Sequence, residues 1–394
     1  MMAEMAASNP PRYDWAIKGP SPPFPYIPGF SVKIRRFTSR IKSKTEIQTT
    51  IETSLESKYP PGFHEVSAIE YCIGQPPLQL DKEQDYDTSH QAEEHILHME
   101  SITTRPATDI FWNEVQCFLD DDKESRYTAK IYDPVYSSDV AFARMCANRS
   151  FNNEAKSYTR LEEAGISGRV TPVFSGAWRM DVPVPCKEFG GVDYATTRPV
   201  GLLLFKEVQA VNLASTYLMW YYTSDCIRHQ PQLPRAWRLE VLAKIYEAVN
   251  LIVHAGVIPE VYMDRVLVMT SGLDDGKLDV RVWIANLERS RILDLEQRAG
   301  EARTRPVSPI ETYWSTCMYD AQWLVPSEWQ GAESMGDYRQ WLVQRWGEST
   351  EYRQLPAKLQ KRIADGEWDK DDENDDQSEQ EIETDVGVQE TVTS

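Results

Sequence analysis

Apolar positions along this chain fall into short, strand-length runs first and into a long run with helical spacing later. A run at 96–99 and a longer one at 110–119 read as strands, and the charged stretch 120–125 reads as the turn into a third strand, 126–133. A helix is expected over 151–161. Two further strands, 170–178 and 200–208, flank a loop-like stretch containing Pro183, Pro185, Gly190 and Gly191. Beyond Glu207 the period changes. Trp237, Val241, Ile245, Val249 and Ile252 share one broad helical face between Pro234 and His254, with Pro234 suited to the first turn and Gly256 to the stop. Two short strands, 265–269 and 279–284, then bracket the Gly- and Asp-rich turn 271–276. The remainder, 308–365, is rich in Trp and helical in composition. The pattern predicts an α+β fold: strands with one helix, followed by a largely helical half that holds one small hairpin. No internal repeat is evident.

Composition changes this picture mainly at the ends. The 394 residues carry a net charge of −19, and much of that net charge lies beyond Asp365. Such a tail cannot bury apolar area and is expected to be disordered over 365–394. Residues 1–61, rich in Pro and charge, read as a largely disordered region, and 62–94 as an extension with a short structured part near 63–80. Residues 95–208 form the β-rich part and 209–364 the helical part. The basic run 33–44 has a single aromatic residue, Phe37, and no recognisable binding module, so it reads as a linker or helix face, and nucleic acid is not an expected partner. No apolar run approaches the ~20 residues needed to span a bilayer, and no amino-terminal signal pattern is present. A membrane is therefore not expected, and the location reads as cytoplasmic or nuclear. Cys72, Cys117, Cys146, Cys186, Cys226 and Cys317 are scattered without a paired spacing, as expected of reduced thiols.

Lys130 stands out chemically. It lies between Ala129 and Ile131 in a strand, where an ammonium is costly to bury without a partner. Glu154, on the expected helix, is the candidate partner. The bland alternative is an exposed lysine and an unrelated glutamate on a helix surface.

A small residue, a strand lysine and a helix glutamate in this order resemble the nucleotide-positioning pair of the protein kinase-like superfamily. Other phrases are similar to a divergent group of fungal kinase-like proteins: Asn153-Glu-Ala-Lys-Ser-Tyr158, the helix exit His254-Ala-Gly-Val257, Val282-Trp-Ile284 and Ser308-Pro-Ile-Glu-Thr-Tyr-Trp314. The resemblance covers roughly 95–345. It implies a bilobal kinase-like fold with a small β-rich lobe over a larger helical lobe.

It also implies substituted catalytic positions. Glu260 falls at the base position, with Asp264 as the alternative base; Arg265 falls where a metal-binding Asn belongs, and Asn286 where the metal-binding Asp belongs. ATP is the candidate cofactor, with Ala129, Lys130, Glu154, Glu207 and Arg265 on its side of the cleft. Magnesium is expected to bind weakly, because Arg265 is a permanent cation and Asn286 brings no charge. The plainer role for Arg265 is a structural pair with Glu260, Asp264 or Glu288. No glycine lies between Ile96 and Lys130, so the phosphate-covering loop is missing; Arg105, in its place, reads as a solvated loop arginine, with a phosphate contact as the alternative.

Three readings follow. The first is a pseudokinase that works by binding a protein partner. The second is an atypical active phosphotransferase that places ATP with Lys130 and Glu154 and uses Glu260 as base. The third is an unrelated α+β interaction protein.

Overall fold

The computed structural model describes residues 25–37, 93–103, 112–133, 140–183, 197–215, 234–271, 279–293, 305–315 and 335–366. The expected extension at 63–80, the acidic stretch after Gly366 and Arg105 lie outside the described residues. No helix among the described residues is long and apolar enough to cross a membrane.

The first half is organised by period-two alternation. Strands β1 (Ser31–Phe37), β2 (Glu94–Thr103), β3 (Asn113–Leu119), β4 (Asp122–Tyr132), β5 (Phe174–Pro183) and β6 (Thr197–Lys206) close into a barrel in the order β1-β2-β3-β4-β6-β5. Alternate residues of every strand enter the interior: Val32 and Ile34, Leu97 and Met99, Val115 and Cys117, Ala129 and Ile131, Trp178 and Met180, Leu202 and Leu204. Successive strand side chains point to opposite faces, so this set fixes which residues face outward.

Closure depends on β1. Within the run that was expected to be a linker or helix face, Val32 and Ile34 alternate with Lys33 and Arg35, and the segment is a strand paired antiparallel to both β2 and β5. The correction has a physical reason: the basic residues are the outward half of the alternation. Lys33 and Arg35 reach Glu94 at 2.5 and 3.0 Å, and Arg36 lies 5.0 Å from the centre of the Trp178 ring. Just before β1, the Tyr26 side chain is fully buried and donates a hydrogen bond to the carboxylate of Asp133. Gly176 is required where β5 bulges against β6. Its φ is +107°, and a Cβ there would lie 2.2 Å from the Arg36 guanidinium carbon.

Helix α1 (Val140–Glu163) packs on the outer face of β4, β5 and β6. Phe151, Ala155 and Tyr158 recur at helical spacing on its buried face. Phe151 approaches so closely that a Cβ on Gly201 would lie 3.1 Å from its ring. Tyr158 stacks on Phe174 and meets Phe205 edge-on. This apolar layer is continuous with the core of the second half.

In that second half, α2 (Arg235–His254) buries Val241, Ile245, Val249 and Ile252, as its spacing predicts. Pro234 immediately precedes its first residue, and Gly256, with φ +90°, follows its last turn. β7 (Val211–Asn212) leads on from β6 and pairs with β9 (Val266–Ser271), which pairs in turn with β10 (Asp279–Ile284). β8 (Val257–Ile258) pairs with β11 (Arg291–Ile292). Arg265, expected to open a strand, instead ends the short 3-10 turn Met263–Arg265 that precedes β9. Helices α3 (Pro309–Ser315), α4 (Met335–Trp346) and α5 (Ala357–Asp365) complete the described chain, with Trp346 buried in the core and Trp341 packed against it.

Candidate functional site

Lys130 and Glu154 meet. Lys130 projects from the outer face of β4, one residue from the inward-facing Ala129, and is 1% exposed. Glu154 shares the buried face of α1 with Phe151, Ala155 and Tyr158. Lys130 Nζ lies 2.5 Å from Glu154 Oε2. The same oxygen accepts a hydrogen bond from the Tyr132 hydroxyl, two residues along the strand and therefore on the same face. Glu154 Oε1 accepts the backbone N–H of Leu287 at 3.0 Å. Three donors thus converge on a carboxylate with no exposed surface. Burial pushes the Glu154 carboxyl above its usual range, and the Lys130 charge opposes that rise. Tyr132 is driven well above the ordinary phenol range by burial, reinforced by the Glu154 charge.

The ammonium is enclosed on its remaining sides. Asn286 Oδ1 lies 3.3 Å away and Glu288 Oε2 3.4 Å away. The ring of Trp112, at the entrance to β3, stands with its centroid 4.0 Å from Nζ, a cation–π contact in a desolvated setting. Asn286 follows β10 with φ +59°, a left-handed conformation that Asn tolerates better than most residues. That turn brings its side chain toward Lys130 and the Leu287 amide toward Glu154. Asn153 fastens the next residues to α1 by donating to the carbonyls of Glu288 at 2.9 Å and Ser290 at 2.6 Å.

Arg265 belongs to the same network. It is 5% exposed, and its Nη2 lies 3.2 Å from Glu288 Oε1. Its Nη1 donates to the Glu260 carbonyl at 3.1 Å and lies 3.8 Å from the Glu260 carboxylate. Of the three partners considered for Arg265, Glu288 makes the shortest carboxylate contact and Glu260 a longer one. Asp264 contributes only its backbone carbonyl, and to a different residue, Asn212. A chain of alternating charge results: Glu260, Arg265, Glu288, Lys130, Glu154.

The other sequence candidates fall elsewhere. Ala129 was expected beside the nucleotide, but adjacent strand residues face opposite ways, and its side chain lies inside the barrel. Thr128 is the residue that shares the Lys130 face. Glu207 follows β6 and accepts a hydrogen bond from Gln116 at 3.1 Å, holding the strand exit to β3. The carboxylates of Glu260 and Asp264 are exposed. Sequence reasoning missed Trp112 and Tyr132. Tyr132 was legible as the residue two beyond a buried strand lysine, whereas Trp112 carries no such signal.

The side chains that the resemblance implies at metal-ligand positions are engaged with other groups: Arg265 with Glu288 and Glu260, and the Asn286 oxygen with the Lys130 ammonium. Among the described residues, no group of three His, Cys, Asp or Glu side chains could hold a metal ion.

The lysine on the third strand of the set β2, β3, β4 and the glutamate on the helix that follows stand in the order the kinase resemblance implies. No protein-family model matches the chain, and no curated protein matches it. Among solved structures, the chain is similar to the ROP18 kinase domain in complex with AMP-PNP and sucrose. Identity is 14% over 63% of this chain and 64% of that one, with a TM-score of 0.33. It is similar to a Toxoplasma gondii specific rhoptry antigen kinase domain at 10% identity, over 70% of this chain and 84% of that one, with a TM-score of 0.33. A third likeness is to an Stt7 homolog from Micromonas algae soaked with ATP, at 14% identity over 50% of this chain and 51% of that one, with a TM-score of 0.30.

Proposed function

We propose that this chain is a kinase-fold protein without efficient phosphotransfer, a pseudokinase that acts by binding a protein partner. In this reading the barrel and α1 form a small β-rich lobe, and α2 onward forms a larger helical one. One observation carries the functional part. The ammonium that would meet a nucleotide's phosphates is 1% exposed and is held by Glu154, Glu288, Asn286 and Trp112. The charge pattern of the cleft adds to this, since Arg265 and Asn286 offer magnesium one cation and one neutral oxygen. Catalysis of phosphoryl transfer rests on positioning and on metal-assisted charge neutralisation. A cleft that supplies neither retains the scaffold but not the chemistry.

A thermal-shift titration of the full chain with ATP, with and without Mg²⁺, tests this. The expected outcome is no Mg²⁺-dependent rise in melting temperature at saturating nucleotide. A rise that requires Mg²⁺ would contradict the reading and favour the active phosphotransferase, with Glu260 as the first base to replace.

A further inference from the structure

The Glu288 carboxylate stands between two cations that come from different parts of the fold. One oxygen lies 3.4 Å from Lys130 Nζ on β4, and the other lies 3.2 Å from Arg265 Nη2 in the turn before β9. Both cations are nine-tenths or more buried, and the glutamate side chain is 13% exposed. Its backbone is fixed independently of the carboxylate, through the hydrogen bond from Asn153 to the Glu288 carbonyl. The side chain is therefore a tethered anion whose attachment does not depend on the two cations it touches.

We propose that Glu288 is a built-in substitute for a phosphate group, so that Lys130 and Arg265 together form a metal-independent oxyanion site which the chain itself occupies. This rests on the kinase-fold reading above and goes beyond it by assigning the occupant and the ligand class. Chemistry favours a phosphate-type anion. The two donors already address two oxygens of one small anionic group, and Arg together with Lys is the pairing suited to phosphate. Lys130 and Arg265 supply the positive charge at this position themselves, one to each oxygen, without a divalent metal.

An internal ligand lowers apparent affinity in proportion to the time it fills the site. Removing it has a defined consequence. Isothermal titration of the full chain with pyrophosphate and with ATP, in EDTA, is compared between the wild type and Glu288→Ala. The expected result is saturable binding to the variant at least about tenfold tighter than to the wild type, lost again when Lys130→Met is added. A folded Glu288→Ala chain that binds neither probe more tightly than the wild type overturns the inference. Should Glu288→Ala fail to fold, Glu288→Gln keeps the side-chain size while removing the charge. The same gain, smaller in extent, is then expected, and its absence in the folded variant is equally decisive. Failure of both variants to fold also overturns the proposal, because the carboxylate would then be structural support and not an exchangeable occupant.

The two readings fail separately. Mg²⁺-dependent ATP turnover by the wild type overturns the pseudokinase reading, whereas the absence of any gain in folded Glu288 variants overturns only this inference.

Discussion

At the scale of single residues, the Lys130 ammonium neutralises a carboxylate with no access to solvent, that of Glu154. Replacing Lys130 by methionine keeps most of the side-chain volume but strands Glu154 in a fully buried site. Breaking a buried pair from one side costs about 3–5 kcal/mol, to be read from urea unfolding at neutral pH. The loss has a pH signature. Burial already holds the Glu154 carboxyl above the usual carboxylate range, and without the lysine that rise is unopposed by the largest favourable charge. A carboxyl raised in the folded state stabilises below its unfolded pKa, and that contribution is lost as pH climbs through the folded value. The variant is therefore expected to recover part of its stability relative to the wild type on acidification toward about pH 4.5, and a constant difference across that range would contradict the assignment. The sequence disclosed this pair because a lysine among strand residues demands a partner. It misdirected attention to Ala129, since a neighbour in sequence was treated as a neighbour on the same face.

Elements show a different balance of success. Helix α2 was legible nearly to its ends, because Pro234 and Gly256 punctuate a strongly periodic run. The strand from Ser31 to Phe37 was not, although Val32 and Ile34 alternate with Lys33 and Arg35. Charge was read there as the signal, when it was the solvent-facing half of a strand. The two outward basic residues, Lys33 and Arg35, are neutralised by Glu94 and Asp181 on the neighbouring strands, and no amount of local sequence reveals which strands those will be. Closing the sheet removes the free edges that would invite pairing with another chain. Ile34 is fully buried inside the barrel, so Ile34→Ala is expected to cost about 2–5 kcal/mol in chemical denaturation. A loss below about 0.5 kcal/mol, the range of ordinary surface substitutions, would mean that β1 is not an integral stave.

For the whole molecule, the order of strands, helix and hairpin could be read from periodicity, and the resemblance implied where catalytic groups would fall. What could not be read was the way Glu260, Arg265, Glu288, Lys130 and Glu154 link into one chain of alternating charge. That network joins β4, α1 and the segments flanking β9 and β10, and such convergence is a property of tertiary packing. Its consequence is a set of buried charges neutralised by one another rather than by solvent. The most direct test is to measure ATP consumption and phosphate transfer by the purified full chain with Mg²⁺ or Mn²⁺, beside Lys130→Met and Glu260→Gln. The account predicts background rates in all three; metal-dependent turnover by the wild type that disappears in either variant would contradict it.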